Sequence, residues 1–513
     1  MADERFAMKH HNLAGSTALA LAMFCTGAVA QVTPEQIWDN WQQLLASSGQ
    51  SVTTASVGRN GQTLEVRGLN FSGDDGAGST FKTTISELDF RDLGDGTVEV
   101  TMSDSYPMTI TGPAPQGSTT PFTGTITVLQ PGTRILASGG PTETTYGIDA
   151  PSVSVAMSTT QDDPAAGPMN LNLSMAGING NYTLVPSGTS SALTSTFTAD
   201  TASFVLVGKD AATQEDITAS FSVNGISGNS SGVLLPGEAM VDIAAALKSG
   251  FMVDSSMTYG KTTFDIDVKA PASSTKVTGT ADSGDIAIAM DKDKLSYGVG
   301  MTKAAFTLAE STLPFPQVNV SYAEAAMRLT MPVAKSDVPQ DFSMVTRIVD
   351  FVISDEMWGL FDPVGAFPRD PATVVIDANG TANWAFDIFD SAQQEANANK
   401  VPGELHSLNI TQLQAKAAGA EVTGTGTFTF DNTDLVTWEG MPTPTGTLTL
   451  AMTGVNGLID KLVGAGFVPE DQAMGARMMI AMFAKPVDGA EDSMTSVLEF
   501  KDKGFFANGQ QLR

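Results

Sequence analysis

The sequence predicts a mainly β protein: a long antiparallel meander that forms curved sheets or a groove, with about four to five short amphipathic helices. Two observations predict this class. Threonine and serine alternate with apolar residues in many short runs, and glycine-containing turns separate these runs. Helical patterns are too few to supply crossovers between parallel strands, so we expect antiparallel hairpins as the main connections.

The predicted strands share a period-two alternation of apolar and polar residues. Those at 63–67 and 98–102 follow Asn60-Gly61 and Asp95-Gly96. Both dipeptides favour two-residue hairpin turns of type I′, because both central positions of such a turn have positive φ. The other predicted strands are 125–129, 196–207, 262–268, 425–430, 447–452 and 496–500.

Helical periodicity is confined to a few segments. The first predicted helix is 33–46, where Thr33 provides the N-cap and Pro34 occupies the first turn. The other predicted helices are 237–248, 341–357, 457–463 and 470–483. Proline or uninterrupted polarity predicts linkers at 112–120, 159–168 and 391–403.

The first thirty residues have the pattern of a secretory signal peptide. A polar start precedes an apolar run at 13–26, and Ala28-Val29-Ala30 provides the small residues of a cleavage site. We expect cleavage after Ala30. Met8 fits better than Met1 as the start, because Asp3 and Glu4 do not suit a region that should be positive, whereas Met8-Lys9-His10-His11 stands just before the apolar run. The run of about 14 residues is shorter than the about 20 that span a bilayer, so a cleaved signal is preferred to an anchor.

This pattern predicts a periplasmic protein of a Gram-negative cell. The predicted regions are the signal peptide at 1–30, an N-terminal β-rich region with a leading helix at 31–235, and a C-terminal β-rich region with helices at 236–513. No later apolar run reaches the length of a membrane span, so we expect no transmembrane helix in the mature chain.

Composition excludes several classes of function. The formal net charge of −29 repels phosphate backbones, so nucleic-acid binding is not expected. Cys25 is the one cysteine and precedes the cleavage site, so disulfides and thiolate sites are not expected in the mature chain. His406 is the one histidine after residue 30, which argues against metal sites with several histidines. We therefore predict no cofactor.

No catalytic or metal-binding residue is predicted. His406 lacks an accompanying Gly-x-Ser-x-Gly motif, and we interpret it as a surface or strand-edge residue. Acidic pairs such as Asp291 with Asp293 do not follow the spacing of a calcium-binding loop and fit hairpin tips. A pair of carboxylates that meet only in space is not excluded. The sequence thus favours a protein that is not an enzyme.

The least generic stretch is 355–372. Two Asp-Pro steps, a tryptophan and an arginine between prolines predict an extended loop with restricted φ. We expect Arg369 to pair with Asp362 or Asp370 and to clamp a helix to a strand. We call the following residues the signature and interpret them as structural: Trp358, Asp362, Pro363, Pro368, Arg369, Asp370 and Pro371.

The signature resembles that of an alphaproteobacterial exported family, the domain-of-unknown-function family numbered 2125. The same resemblance is carried by Trp38-Asp39-Asn40-Trp41 and by Asp95-Gly96-Thr97-Val98. The pattern at 422–431 is also similar to larger envelope β-proteins of the AsmA and YdgA type. Neither resemblance implies catalytic residues.

The leading hypothesis is a non-catalytic periplasmic scaffold or groove that handles lipid or assists envelope assembly. The last predicted helix contains four methionines: Met474, Met478, Met479 and Met482. They offer a soft apolar surface for acyl chains or a partner helix, although filling of the core is the more common role of methionine. The alternative is a module that binds other envelope proteins. A hydrolase that uses carboxylates is the least favoured hypothesis.

Overall fold

The structure is a computed structural model of the 513-residue chain. It describes residues 31–47, 51–74, 78–113, 122–140, 142–159, 169–188, 190–210, 213–235, 237–240, 242–398 and 400–513. The predicted signal peptide and most of the predicted linkers at 112–120 and 159–168 lie outside these residues.

The described residues form six α-helices and a 3₁₀ turn at Gly237–Met240. The helices are α1 (Pro34–Ser47), α2 (Ile243–Lys248), α3 (Asp355–Phe361), α4 (Ser391–Ala396), α5 (Val455–Gly464) and α6 (Glu470–Phe483).

The strands are longest in the middle of the chain, where several exceed fifteen residues. They are β1 (Ser51–Thr53), β2 (Ser56–Asn60), β3 (Thr63–Asp74), β4 (Thr80–Asp92), β5 (Val98–Met102), β6 (Ser105–Gly112), β7 (Phe122–Leu129), β8 (Arg134–Gly140), β9 (Glu143–Thr159), β10 (Met169–Ser187), β11 (Ser190–Lys209), β12 (Asp216–Leu234), β13 (Met252–Tyr259), β14 (Thr262–Lys269), β15 (Ser274–Ala281), β16 (Ser283–Met290), β17 (Lys294–Glu310), β18 (Val318–Pro332), β19 (Gln340–Ile353), β20 (Ala372–Trp384), β21 (Gly403–Ala417), β22 (Ala420–Asp431), β23 (Thr443–Thr453), β24 (Lys485–Pro486), β25 (Ser493–Lys501), β26 (Gly504–Ala507) and β27 (Gln510–Gln511). The prediction of a mainly β chain is confirmed.

The chain divides into two compact units. Unit 1 comprises Met1–Val241 with Asp265–Ala272, and unit 2 comprises Asp242–Phe264 with Ser273–Arg513. Because their segments interleave, the units do not define a single cut, and the boundary predicted near residue 235 stays a prediction.

Unit 1 is built on an antiparallel sheet. Strand β3 pairs with β1 and β2 on one side and with β4 on the other. Strand β4 pairs with both β5 and β6. Strand β5 then pairs with β8, and β6 pairs with β7. Strands β7 and β8 both pair with β9. Strands β9 to β12 then follow one another as a meander, as predicted.

Helix α1 packs on this sheet and closes the core of unit 1. Thr33 and Gln36 form a capping box, because each backbone N–H donates to the other side chain. The indoles of Trp38 and Trp41 lie 5.9 and 5.5 Å from the ring of Phe90, measured between centroids. All three side chains are buried, and the predicted first helix with its Thr33 cap is confirmed.

Gly68 reverses the alternation of side chains within β3. Its φ of +59° lies in the left-handed region, which glycine enters without steric cost. Before it Leu64 and Val66 are buried, and after it Leu69 and Phe71 are buried, so the parity of the buried positions changes at Gly68. The apolar side chains therefore stay on one face of the sheet.

Unit 2 is a second antiparallel meander. Strand β13 pairs with β16, and β16 with β17, which also pairs with β15. From β17 to β23 each strand pairs with the next in the sequence, and β23 pairs with β25. Strands β24 and β26 flank β25, and β27 pairs with β26.

One predicted helix and one predicted linker differ from the structure. The helix predicted at 341–357 is strand β19 followed by α3, and α4 lies within the linker predicted at 391–403. Asp390 caps α4 by accepting a hydrogen bond from the N–H of Gln393 at 3.1 Å. The helices predicted at 457–463 and 470–483 are confirmed as α5 and α6, and the segment predicted at 237–248 begins with the 3₁₀ turn and ends with α2.

Both predicted glycine hairpins form, but their turns differ from the prediction. Asn60 pairs with Thr63, so Gly61 and Gln62 are the central residues of the first turn, and Gly61 has positive φ. This fits a type II′ turn with glycine in the first central position. In the second hairpin Asp92 pairs with Val98, which leaves a longer loop with positive φ at Gly94 and Gly96.

Candidate functional site

One face of the unit 2 sheet is apolar across nine strands. Residues directly opposite in antiparallel strands share a face, so the strand register shows which side chains form a row. The most complete row runs from β16 to β25 through Ile288, Tyr297, Leu329, Met344, Ala378, Ile410, Gly426, Leu448 and Leu498. We call this face the apolar track. Tyr297 and Met344 are about two-fifths exposed.

Neighbouring rows of the track are also mostly apolar. One contains Ile286, Val299, Met327, Thr346, Ile376, Leu413, Gly424, Leu450 and Ser496. Another contains Ile348, Val374, Ala415, Val422, Met452 and Met494. Met327, Ile348 and Val374 are exposed.

The opposite face of the same sheet is polar. Ser343, the residue before Met344, belongs to a row on this opposite face. The row contains Ser296, Thr330, Ser343, Asn379, Asn409, Thr427, Thr447 and Glu499. The alternation of threonine with apolar residues, visible in the sequence, thus separates a polar face from an apolar face.

Glycines allow the apolar side chains to lie flat on the track. A Cβ atom at Gly424 would lie 2.6 Å from Cδ2 of Leu450 and 3.6 Å from Cδ2 of Leu413. The two leucines therefore extend over the backbone of Gly424 from the strands on either side, β21 and β23. The result is a continuous hydrocarbon surface across three strands.

A cavity of about 1100 Å³ lies at one end of the track. Leu408, Phe428 and Phe500 line it and belong to a single row of the track, which also contains Phe342, Gly380 and Gly446. Further aromatic side chains in the lining are Trp384, Phe430 and Trp438. The cavity is thus an aromatic-lined extension of the apolar track.

The loop at 432–442, which we call the cavity loop, supplies one wall. Asp434, near the start of this loop, accepts hydrogen bonds from the N–H and Oγ1 of Thr437 and pairs with Nζ of Lys503 at 2.6 Å. The hydrogen bonds from Lys503 and Thr437 hold the pKa of Asp434 below its usual range. These contacts fix the position of the loop that presents Trp438 and Leu435 to the cavity.

The rim of the cavity is polar. Lys335, Asp337 and Glu404 contribute charged side chains to the lining. Asn383 donates from Nδ2 to the carbonyl of Ser336 at 2.9 Å, and its Oδ1 contacts Nε2 of His406. His406 lies in β21 and is partly buried, so it supports the rim through Asn383.

Unit 1 also has an apolar face, which extends beyond its helix-covered core. Val128 packs against the core and lies opposite Val155 of β9. From Val155 the row continues through Leu173, Phe204 and Phe221. Leu173 and Phe221 are exposed. On the other face, serines form the corresponding row: Ser154, Ser174, Ser203 and Ser222.

The signature lies at the opposite end of β20 from the cavity. It spans α3 and the loop that leads into the first residue of β20, Ala372, whereas Trp384 at the last position of β20 lines the cavity. The ring of Trp358 lies 5.2 Å from that of Phe361 within α3. Pro363, Asp370 and Pro371 lie in the loop, and Pro368 approaches Gly419.

Asp362 organises the signature loop. Its carboxylate is buried and accepts hydrogen bonds from the N–H groups of Ala366 at 2.7 Å and Phe367 at 3.0 Å. Burial acts to raise the pKa of Asp362, but these hydrogen bonds and the nearby guanidinium of Arg369 outweigh it and lower the pKa. The ion pair of Arg369 is with Asp355, the first residue of α3. Arg369 thus clamps helix to loop, and the partner predicted from the sequence is wrong.

Sequence reasoning missed the cavity. Its aromatic residues come from strands and a loop far apart in the sequence, and only Phe428 and Phe430, two apart in one strand, signal a shared face. Within the described part of the chain, no group of three or more His, Cys, Asp or Glu side chains is arranged to hold a metal ion.

A smaller cavity of about 290 Å³ in unit 1 has two carboxylates in its lining, Glu99 and Asp149. Glu99 accepts hydrogen bonds from Nε of Arg91 at 2.9 Å and from Nε of Arg134 at 2.7 Å. Burial acts to raise the pKa of Glu99, but the two guanidinium groups outweigh it and lower the pKa. These contacts give Glu99 a structural role.

Among the described residues, no helix has both the length and the apolar character required to cross a bilayer. A family model described as "Uncharacterized protein conserved in bacteria (DUF2125)" matches residues 250–507, about half of the chain. The match includes the apolar track, the whole cavity lining and the signature. No curated protein and no solved structure matches the chain.

Proposed function

We propose that this chain, which belongs to the DUF2125 family of uncharacterized bacterial proteins, is a non-catalytic periplasmic protein that holds lipid on the apolar track of unit 2. The observation that carries the proposal is the one-sided sheet, whose apolar face ends in an aromatic-lined cavity. Acyl chains are the ligands that match an extended apolar face with a polar rim.

The energetics favour an occupied track. Apolar surface costs about 25 cal/mol per Å² when it is exposed to water, so a row of exposed Met, Ile and Val side chains is stabilised by any apolar occupant. The cavity of about 1100 Å³ lies at the upper end of the range of small-molecule sites and is large enough to take part of an acyl chain.

The location in the envelope is supported by the sequence. The signal-like pattern that ends at Ala30 supports export, and the cysteine-free region after it suits an extracytoplasmic scaffold. The resemblance to the exported alphaproteobacterial family and the similarity of 422–431 to AsmA-type and YdgA-type proteins support a role at the envelope.

The proposal is tested by binding of a fluorescent fatty acid to residues 31–513. We expect saturable binding that Phe428→Asp weakens at least tenfold, because the new carboxylate lies in the cavity wall. Thr429→Asp is the matched control, since Thr429 is the next residue of β22, exposed on the polar face, and should leave affinity unchanged. Absence of saturable binding, together with absence of lipid in solvent extracts of protein from the native host, would contradict the proposal.

The second candidate function is binding of other envelope proteins. The net charge of −29 favours it, because such a surface attracts basic partners. Crosslinking in living cells separates the two candidates: the second requires a reproducible protein adduct, whereas lipid binding does not. A glycosidase and esterase screen tests the least favoured candidate, a hydrolase, which requires activity that a single Asp or Glu substitution abolishes.

A further inference from the structure

A second apolar surface lies at the signature end of unit 2. Val364 at the tip of the signature loop is 78% exposed, and Leu360 of α3 is 58% exposed. Phe467, in the loop between α5 and α6, is also exposed. We call these residues, together with Phe361 and the methionines of α6, the docking surface.

Helix α6 presents its methionines to solvent. At 100° per residue, Met474, Met478 and Met482 form one stripe, and Met479 lies beside it. All four are at least half exposed, whereas Ala473 on the other side of the helix is fully buried. The methionines therefore do not fill a core, which was the more common role expected from the sequence.

The signature holds the parts of the docking surface together. Asp362 fixes the backbone of the signature loop, so that Val364 projects from a turn closed by the Ala366 and Phe367 amides. The buried ring of Phe367 lies 6.0 Å from the ring of Phe467. The tip of the signature loop and the α5–α6 connection are thus joined through an aromatic contact, and the apolar side chains are presented by a fixed framework.

We propose that the docking surface inserts into the interface of a lipid bilayer without net negative charge. This inference rests on the proposed function. The apolar track begins next to this surface. Val374, the third residue of β20, follows the signature loop and is an exposed residue of the track. At the end of α6, the carbonyl of Phe483 accepts a hydrogen bond from Oγ of Ser496, which lies in a row of the track. A lipid that leaves the bilayer at this end therefore meets the hydrocarbon surface that leads towards the cavity.

Charge argues for a neutral or zwitterionic bilayer. Residues 355–371 and 455–483, which carry the docking surface, contain seven acidic and three basic residues. Arg369 and Arg477 are paired with Asp355 and Asp460. Attraction to anionic headgroups is thus absent, and insertion depends on the apolar side chains.

The test is flotation of the protein, residues 31–513, with vesicles of phosphatidylcholine and phosphatidylethanolamine. We expect binding that changes little between low and high salt. Added phosphatidylglycerol should weaken binding at low salt, because the net charge of −29 is repelled, and high salt should restore it. Failure to float with the neutral vesicles, or binding that requires phosphatidylglycerol, would overturn the inference.

Matched variants locate the surface. Val364→Asp should reduce the bound fraction at least tenfold, and so should Met478→Asp. Val436→Asp is the control, since Val436 is a 90% exposed valine in the cavity loop, outside the docking surface. Equal loss in all three variants would overturn the inference, as would vesicle binding unaffected by Val364→Asp and Met478→Asp.

Fatty-acid binding in solution separates this inference from the proposed function. Val364→Asp should leave that affinity unchanged, whereas Phe428→Asp should weaken it and leave flotation intact. If flotation fails while the fatty acid binds, the docking surface is wrong and the track stands. A protein adduct at a photo-crosslinker placed at Val364 in cells, without flotation, would show that the occupant is a protein and would overturn the inference.

Discussion

The guanidinium carbon of Arg513 lies 4.6 Å from the ring centroid of Trp438, in the geometry of a cation–π contact. Arg513 also donates a hydrogen bond from Nη2 to the carbonyl of Thr437 at 3.1 Å. Trp438 in turn lies 5.4 Å from Phe500, which belongs to the track. These contacts fasten the cavity loop to the sheet beneath it.

Replacement of Arg513 should loosen the cavity loop. A cation–π contact at an exposed site contributes about 0.5–1 kcal/mol, so we expect Arg513→Ala to weaken fatty-acid binding about two- to fivefold. Lys501→Ala is the matched control, because it removes a cation–π contact with Phe506, which does not line the cavity. Equal losses in the two variants, measured by fluorescence titration, would contradict the role of Arg513.

The ion pair between Asp434 and Lys503 should make the cavity loop sensitive to acid. The pKa of Asp434 is lower in the folded protein than in the unfolded chain, so its contribution to stability is complete above the unfolded pKa of about 4 and is lost as the pH falls below it. We expect Asp434→Asn to be less stable than the parent at about pH 6, with a difference that shrinks towards about pH 2. Urea unfolding at several pH values measures this difference; a difference that does not change with pH would refute the assignment.

Gly68 should tolerate substitution poorly. Its φ is +59°, and a Cβ atom there would lie 2.9 Å from Cβ of Ala55. Gly68→Val should lower the free energy of unfolding by about 1–3 kcal/mol, because a β-branched residue is strained in this conformation. Gly58→Val is the control: Gly58 lies in β2 and has open space around its Cβ position. Similar stabilities of the two variants in thermal unfolding would contradict the role of Gly68 in reversing the alternation of side chains in β3.

The contact between α1 and the sheet should carry much of the stability of unit 1. Phe90 is fully buried beneath Trp38 and Trp41. We expect Phe90→Ala to reduce the free energy of unfolding by about 3–5 kcal/mol through lost burial and a cavity. Val57→Ala, at a position 47% exposed, should change it by less than about 0.5 kcal/mol. Chemical denaturation compares the two, and a small effect of Phe90→Ala would show that α1 is not essential to the core.

The strands were predictable because alternation and turn residues are local signals. The error at 341–357 has a local cause. Asp350 has a φ of +52°, and the side chains that face the track shift by one position near it. Before Asp350 these side chains have even numbers, as in Phe342, Met344 and Ile348, and after it they have odd numbers. Ile353 follows it, opposite Val320 of β18. A shift of one residue in a period of two gives apolar spacings of three, which resemble those of a helix.

The candidate site was predictable only in part. The signature was identified because its prolines and aspartates are unusual in sequence, and Asp362 and Arg369 do hold the loop. The track depends on which residues lie opposite one another in different strands. That register is fixed by bulges such as the one between Ile410 and Leu413, and no sequence motif marks this bulge.

The central claim is that lipid occupies the apolar face of the unit 2 sheet and not its polar face. Met344 and Ser343 are consecutive in β19 and belong to the apolar and polar rows, respectively. The most direct measurement is mass spectrometry of the protein from its native host after photo-crosslinking with benzoylphenylalanine at each position. We predict lipid adducts at residue 344 and none at 343. Absence of lipid at 344, or equal lipid labelling at both positions, would contradict the claim.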